Sequence, residues 1–204
     1  MPMDPNIFLE RVRKELEKYA PIPDDEWEKT DRTAFTPVRY EKGEHFLRIG
    51  DVPDKMGFIW SGLFRIFCIT EQGDERIMAF RGENRFLSAF SPFLESQPSW
   101  YGIQALEPSI LLCFDLQQYQ RLMAGHPCWC QISRKYVENL FIEKERRERD
   151  FLTENAETRY LNFLREYPGL EDRAPQYQIA SYLGITPVAL SRIRKALRKK
   201  NQIS

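Results

Sequence analysis

The apolar residues change their spacing twice along the chain, and the changes divide it. Near the N-terminus, Ile7, Phe8, Val12, Leu16 and Tyr19 recur at helical intervals and predict one buried helix face. Asp4 followed by Pro5 predicts the start of that helix, an N-cap with proline at the first helical position. Pro21 and Pro23 stop it, and Asp24 to Lys29 reads as a short helix carrying Trp27. Between residues 33 and 115 the period shortens. Segments such as FIWSG, LFRIFCIT and ERIMAF are aromatic and branched, and Gly43, Gly50, Ser61-Gly62, Gln72-Gly73 and Gly82 punctuate them. Short strands at that turn spacing predict a sandwich or barrel. Residues 86–95 interrupt the pattern as a short helix, and strands resume over 100–107 and 109–115.

After His126-Pro127 the helical period returns. Ile132, Tyr136, Val137, Leu140 and Phe141 form an apolar stripe, and every residue from Glu143 to Asp150 is then charged. Glu143–Arg147 and Glu145–Arg149 are spaced for i,i+4 support. A further helix is predicted over about 155–167, ended by Pro168-Gly169. The expected division is a β-rich part with N-terminal helices over 1–126, a long helix over 127–154, and a small helical unit over 155–204.

Charge adds an asymmetry to this division. The 204 residues hold 30 Lys+Arg and 30 Asp+Glu, which excludes a globally basic coat protein or an acidic tail. Yet residues 151–204 are +4 and the rest is −4, with six of the positive side chains inside 192–200. A basic unit on an acidic body suits contact with a polyanion; a solvated helix face would look the same.

Candidate chemistry is sparse. Hydrophobic content of 42%, with 13% aromatic, excludes a disordered chain. No apolar run approaches the roughly 20 residues of a membrane span, and the charged N-terminus lacks the apolar stretch of a secretory signal. The four cysteines, 68, 113, 128 and 130, form no CxxC pair or ligand ladder, which suits a reducing cytoplasm, and Cys128 and Cys130 read as free, buried thiols. No Ser/His/Asp set, paired-carboxylate motif or phosphate-cradling glycine loop stands out, so neither enzyme activity, nor a metal, nor a cofactor is expected.

The stretch PQYQIASYLGITPVALSRIRKALR, residues 175–198, is more specific. Ile179, Ala180, Leu183, Ile185, Leu190, Ile193 and Leu197 are spaced to bury one side of two crossing helices. Ala180 allows close approach, Gly184 supplies the turn, and Thr186-Pro187 start the second helix. This is a helix-turn-helix whose second helix turns Val188, Ala189, Ser191, Arg192 and Lys195 outward.

With KGEHFLRIGDVPDKMGFIWSGLFRIF and GDERIMAF ahead of it, that motif makes nearly the whole chain resemble the Crp/Fnr family of bacterial transcription regulators. The resemblance implies an α+β architecture: a cyclic-nucleotide-binding-like double-stranded β-helix (jelly roll), a long dimerisation helix, and a C-terminal winged helix-turn-helix. It implies a homodimer on palindromic double-stranded DNA, and an effector molecule of unknown identity. Arg192 would read guanine, and Val188 and Ala189 would meet thymine methyls. Gln176, Thr186 and Ser191 would reach phosphates or base edges, and Arg194, Lys195, Arg198, Lys199 and Lys200 would attract the DNA backbone.

The same resemblance exposes departures. Where cyclic-nucleotide-binding members carry Gly-Glu for the ribose and an Arg-Ser or Arg-Thr pair for the phosphate, this chain has Ser88-Ala89 and Ser99-Trp100. A buried phosphodiester without its cation is strongly disfavoured, so cAMP is not the expected effector. Ile142-Glu143 stand where small hydroxyl residues would reach the base. Phe86, Phe90, Phe93 and Trp100 would line the roll, either as a pocket for a less charged ligand or as plain core. No cysteine precedes Cys68, so an N-terminal iron–sulfur site is unsupported. The alternative to a DNA-binding regulator is a small-molecule or protein-interaction module whose helix-turn-helix does not meet DNA.

Overall fold

A computed structural model describes residues 5–30 and 35–201. α1 (Pro5–Glu17) and α2 (Asp24–Lys29) precede eight strands: β1 (Thr36–Tyr40), β2 (His45–Leu47), β3 (Lys55–Ser61), β4 (Phe64–Ile69), β5 (Glu75–Arg81), β6 (Phe86–Leu87), β7 (Tyr101–Ala105) and β8 (Ser109–Asp115). α3 (Phe90–Glu95) lies between β6 and β7. α4 (Leu116–Ala124), α5 (Pro127–Thr153), α6 (Ala156–Glu166), a 3-10 turn (Leu170–Asp172), α7 (Gln176–Leu183) and α8 (Pro187–Asn201) follow.

The strands pair into two antiparallel sheets, β1-β8-β3-β6 and β2-β7-β4-β5, the order of a jelly roll. Their inner faces meet through Tyr40, Phe46, Leu47, Ile59, Phe64, Leu87, Ile103 and Leu111. Both outer faces are covered as well. Phe58 and Leu112 turn out of the first sheet to meet Phe8, Val12, Trp129 and Ile132 of α1 and α5. Covering on both faces explains the near-continuous apolar run of β3. The outer face of the second sheet meets the C-terminal unit. There Phe80, fully buried, lies 6.3 Å from the Phe163 ring, 6.1 Å from Tyr167 and 5.6 Å from Tyr182.

β5 is the edge strand of the second sheet, and its free backbone is used. Ile77 N–H donates to Ser181 Oγ on α7 at 3.0 Å, and Ile77 C=O accepts from Arg147 Nη2 on α5 at 3.2 Å. Arg173 adds a clamp below, with Nη1 on Glu83 Oε2 at 3.0 Å and Nη2 on Glu107 Oε1 at 2.5 Å. Partial burial alone would raise the Glu83 carboxyl, but Arg173 outweighs it and holds the group below the usual carboxylate range.

Several expectations change here. Ile7 is exposed and Leu9 is buried in its place, because the sheet contacts the adjacent strip of α1. Asp4 lies outside the described residues. α4 was not anticipated, although Asp115 and Gln118 form a reciprocal capping box at its start. In the charged run, the anticipated i,i+4 pairs are replaced: Glu143 meets Arg81 and Arg85 of the roll, and Arg147 meets backbone carbonyls. For Glu143 and Arg147, tertiary partners at a junction outcompete a solvated pair, while Arg149 meets the adjacent Asp150 at 3.0 Å. Of the thiols, Cys113 and Cys128 are buried, Cys68 is half-buried and Cys130 is exposed. The expected wing has no counterpart among the described residues, in which no strand follows β8.

Phe80→Ala is expected to cost about 3–5 kcal/mol, because it removes a ring shared by roll and C-terminal unit. Chemical denaturation of the purified variant checks this; a loss under 1 kcal/mol would mean the two parts do not share a core.

Candidate nucleic-acid interface

The C-terminal unit is built on three caps. Asn155 Oδ1 accepts from Thr158 N at 2.9 Å and starts α6. Gly184, at φ +69°, ends α7; Ile185 N–H reaches back to Ala180 C=O at 3.0 Å. Thr186 Oγ1 then accepts from Ala189 N at 3.2 Å and starts α8 with Pro187 in its first turn. Ala180 and Leu190 are fully buried where the two helices cross. A side chain at position 184 would collide with the Phe151 ring, 2.6 Å from the position of its Cβ.

This frame leaves one face of α8 free. Val188, Ser191, Arg192, Lys195 and Lys199 are exposed at successive helical intervals, and Val188 retains 62% of its accessible surface. Ala189 is half-buried behind them. Gln176 and Thr186 are exposed at the starts of α7 and α8. These eight predicted residues therefore belong to one helix-turn-helix, six of them on α8. Arg194 departs from expectation: it turns inward to Glu171 at 3.2 Å, its side chain 17% exposed, so it is not free to meet a backbone phosphate. Tyr177, 58% exposed beside Gln176, was not among the anticipated residues.

The residues that fasten this unit were also missed. Arg147 Nη2 donates to Tyr182 C=O at 3.1 Å as well as to Ile77, and its guanidinium lies over the rings of Tyr182 and Phe151. Burial, then the neighbouring Tyr167, raises the Tyr182 hydroxyl well above the ordinary range. Inside an all-charged run, nothing in the sequence distinguished Arg147 from its solvated neighbours.

The predicted effector residues do not converge. Ala89 is fully buried; Ser99 is 1% exposed and donates from Oγ to Tyr101 C=O at 2.8 Å; Ser88 Oγ is buried without a partner in the structure. Phe86 lies on the helix side of the first sheet, and Phe93 is enclosed. Trp100, 61% exposed and edge-on to Tyr101, does not line the roll. No cation stands at these positions. His126 accepts from Cys128 N through Nδ1 at 3.2 Å, a capping role, and no metal-holding cluster of His, Cys, Asp or Glu occurs among the described residues. Burial pushes the Cys113 thiol up to about 11, which keeps it protonated.

Comparison with known proteins agrees with the fold. Residues 37–126 match the family model of the cyclic nucleotide-binding domain. Electron transport regulator A of Shewanella oneidensis is 26% identical over 174 residues, which cover 80% of this chain and 69% of that protein. Among solved structures, FixK2 from Bradyrhizobium japonicum superposes with a TM-score of 0.68 at 17% identity, covering 82% of this chain and 86% of its own. The c-di-GMP-responsive global regulator CLP of Xanthomonas campestris gives 0.65 at 16%, covering 83% and 89%. No described helix is long and apolar enough to cross a membrane.

Within the matched domain, positions 88, 89, 99 and 100 carry no charged side chain. Millimolar cAMP or cGMP is expected to leave the melting temperature unchanged, whereas a ligand at 100 times its Kd would add ~2.7 kcal/mol. A clear rise seen with cyclic but not linear nucleotides would reverse this reading of positions 88, 89, 99 and 100.

Proposed function

We propose that this chain, which is of the Crp/Fnr type in fold, is a cytoplasmic DNA-binding transcription regulator acting as a homodimer on a two-fold-symmetric duplex site. The observation that carries the reading is the free face of α8, with Arg192, Lys195 and Lys199 exposed in a row on a helix started by Thr186. A helix-turn-helix places the start of its second helix in the major groove, where Arg192 has the fork to meet guanine O6 and N7. Val188 and Ala189 supply apolar contact for a thymine methyl, and Ser191, Thr186 and Gln176 supply neutral hydrogen bonds. Lys195 and Lys199 meet phosphates and carry no sequence information. In this reading, residues 1–126 sense, 127–154 join two copies, and 155–204 bind DNA without catalysis.

The dimer reading rests on α5. Cys128, Trp129 and Ile132 are spent against the chain's own roll, but Val137, Phe141 and Ile142 remain exposed on the following turns, Phe141 at 66%. Three exposed apolar side chains within two neighbouring turns suit a short helix–helix seam between copies.

Selection from random duplex DNA is expected to enrich a palindrome with half-sites about one turn (~34 Å) apart. Arg192→Ala should cost ~1–3 kcal/mol per half-site and relax the preference at one base pair, while Lys199→Ala should weaken all sequences alike. Unchanged affinity and sequence in Arg192→Ala would remove its reading role; no DNA binding by the intact protein at low salt would remove the function. For assembly, sedimentation at micromolar concentration should show a dimer that Phe141→Glu converts to monomer. Monomers in both proteins would refute the seam.

A further inference from the structure

A cavity of about 70 Å³ lies on the outer face of the first sheet, beneath α1, α4 and α5. Val12, Met56, Phe86, Trp129 and Ile132 form its buried floor. Half-buried Tyr19, Phe90, Tyr119 and Leu122 form its rim. No charged side chain lines it.

The polar atoms of the wall are largely turned on one another. Tyr119 Oη and Ser133 Oγ are hydrogen-bonded at 2.9 Å, Tyr136 Oη donates to Phe86 C=O at 3.4 Å, and Trp129 Nε1 donates to Glu26 Oε1 at 2.9 Å. Burial pushes the Tyr136 hydroxyl up to about 12, so it is neutral at any physiological pH. Water needs two to four polar partners to stay in a cavity, whereas apolar cavities remain dry and take up apolar solutes.

The space is also braced open. Eight of its fifteen lining side chains are aromatic, and they lean on one another. Centroid separations are 5.7 Å for Tyr19–Tyr136, 5.6 Å for Phe86–Tyr136, 5.6 Å for Phe35–Phe114 and 6.4 Å for Phe90–Tyr119. Rings in edge or tilted contact hold the aromatic part of the wall apart. Met56 and Met123 in the wall can adapt to what enters.

We propose that this cavity, and not the roll interior, is a binding site for a small, neutral, apolar molecule in the size range from xenon to benzene. The size limit follows from the volume, about half that of apolar cavities of about 150 Å³ that hold either probe: xenon fits the cavity as it stands, and benzene enters as the flexible Met56 and Met123 give way. The sign of the chemistry follows from the wall: a charged ligand would find no charged side chain lining it, and a strongly polar one would find few polar atoms not already hydrogen-bonded to each other.

The test titrates the full chain with benzene, read at the Trp129 indole N–H resonance assigned by Trp129→Phe, with benzoate as the charged control. Val12→Phe and Leu122→Phe fill the cavity from two different helices, and either one that keeps the native circular dichroism serves. A saturable shift with benzene, absent with benzoate and at least tenfold weaker in a folded filled variant, is expected. No saturable shift in the wild type, an equal shift with benzoate, or undiminished binding in a folded filled variant would overturn the proposal. Because the readout is ligand binding without DNA, its failure and the failure of the DNA-binding reading are separate results.

Discussion

The outer face of the second sheet is buried by the chain's own C-terminal unit, and the arrangement of the molecule follows from that. Phe67, Ile77 and Phe80 point away from the roll core, and left bare they would form an exposed apolar patch on the sheet. Tyr160, Phe163, Tyr182 and Leu183 cover them. The helix-turn-helix therefore shares a core with the roll, and its free face is the one turned from that core. Directional bonds then fix what burial has brought together. The Ile77 amide and carbonyl at the sheet edge are taken by Ser181 and Arg147, which also blocks the edge against pairing with another strand.

α5 serves three masters along its 27 residues. Its first turns complete the apolar layer on the first sheet. Its middle presents apolar side chains to solvent, and its charged end is tied to the roll through Glu143 and to the helix-turn-helix through Arg147. A run that looks like a solvated face in one dimension is an interface in three. Arginine suits such a junction: its planar head stacks on Tyr182 and Phe151 while donating to two carbonyls.

Most of the element order could be read from the pattern of residues, because period and punctuation are local. The strands between Thr36 and Asp115, the start of α5 at Pro127 and the glycine turn at 184 all carry signals within a few positions. The exposed face of α8 was legible for the same reason: Val188, Ser191, Arg192 and Lys195 follow from helical spacing alone. What could not be read depends on distant partners. Arg194 looks as free as Lys195 until Glu171 is placed beside it, and Trp100 looks like roll lining until the 91–100 segment leaves it in solvent. Ile7 and Leu9 exchanged places because two adjacent strips of α1 are almost equally apolar, and only the sheet decides between them.

Phe151 occupies an unusual position at the end of α5. The guanidinium groups of Arg147, at 4.9 Å, and Arg159, at 5.2 Å, both lie over its ring, which also abuts Gly184 between α7 and α8. One side chain thus touches the end of α5, the start of α6 through Arg159, and the bend between α7 and α8. Any residue at 184 larger than glycine would have to displace that ring, so the tightness of the bend is fixed by a side chain 33 positions earlier in the chain.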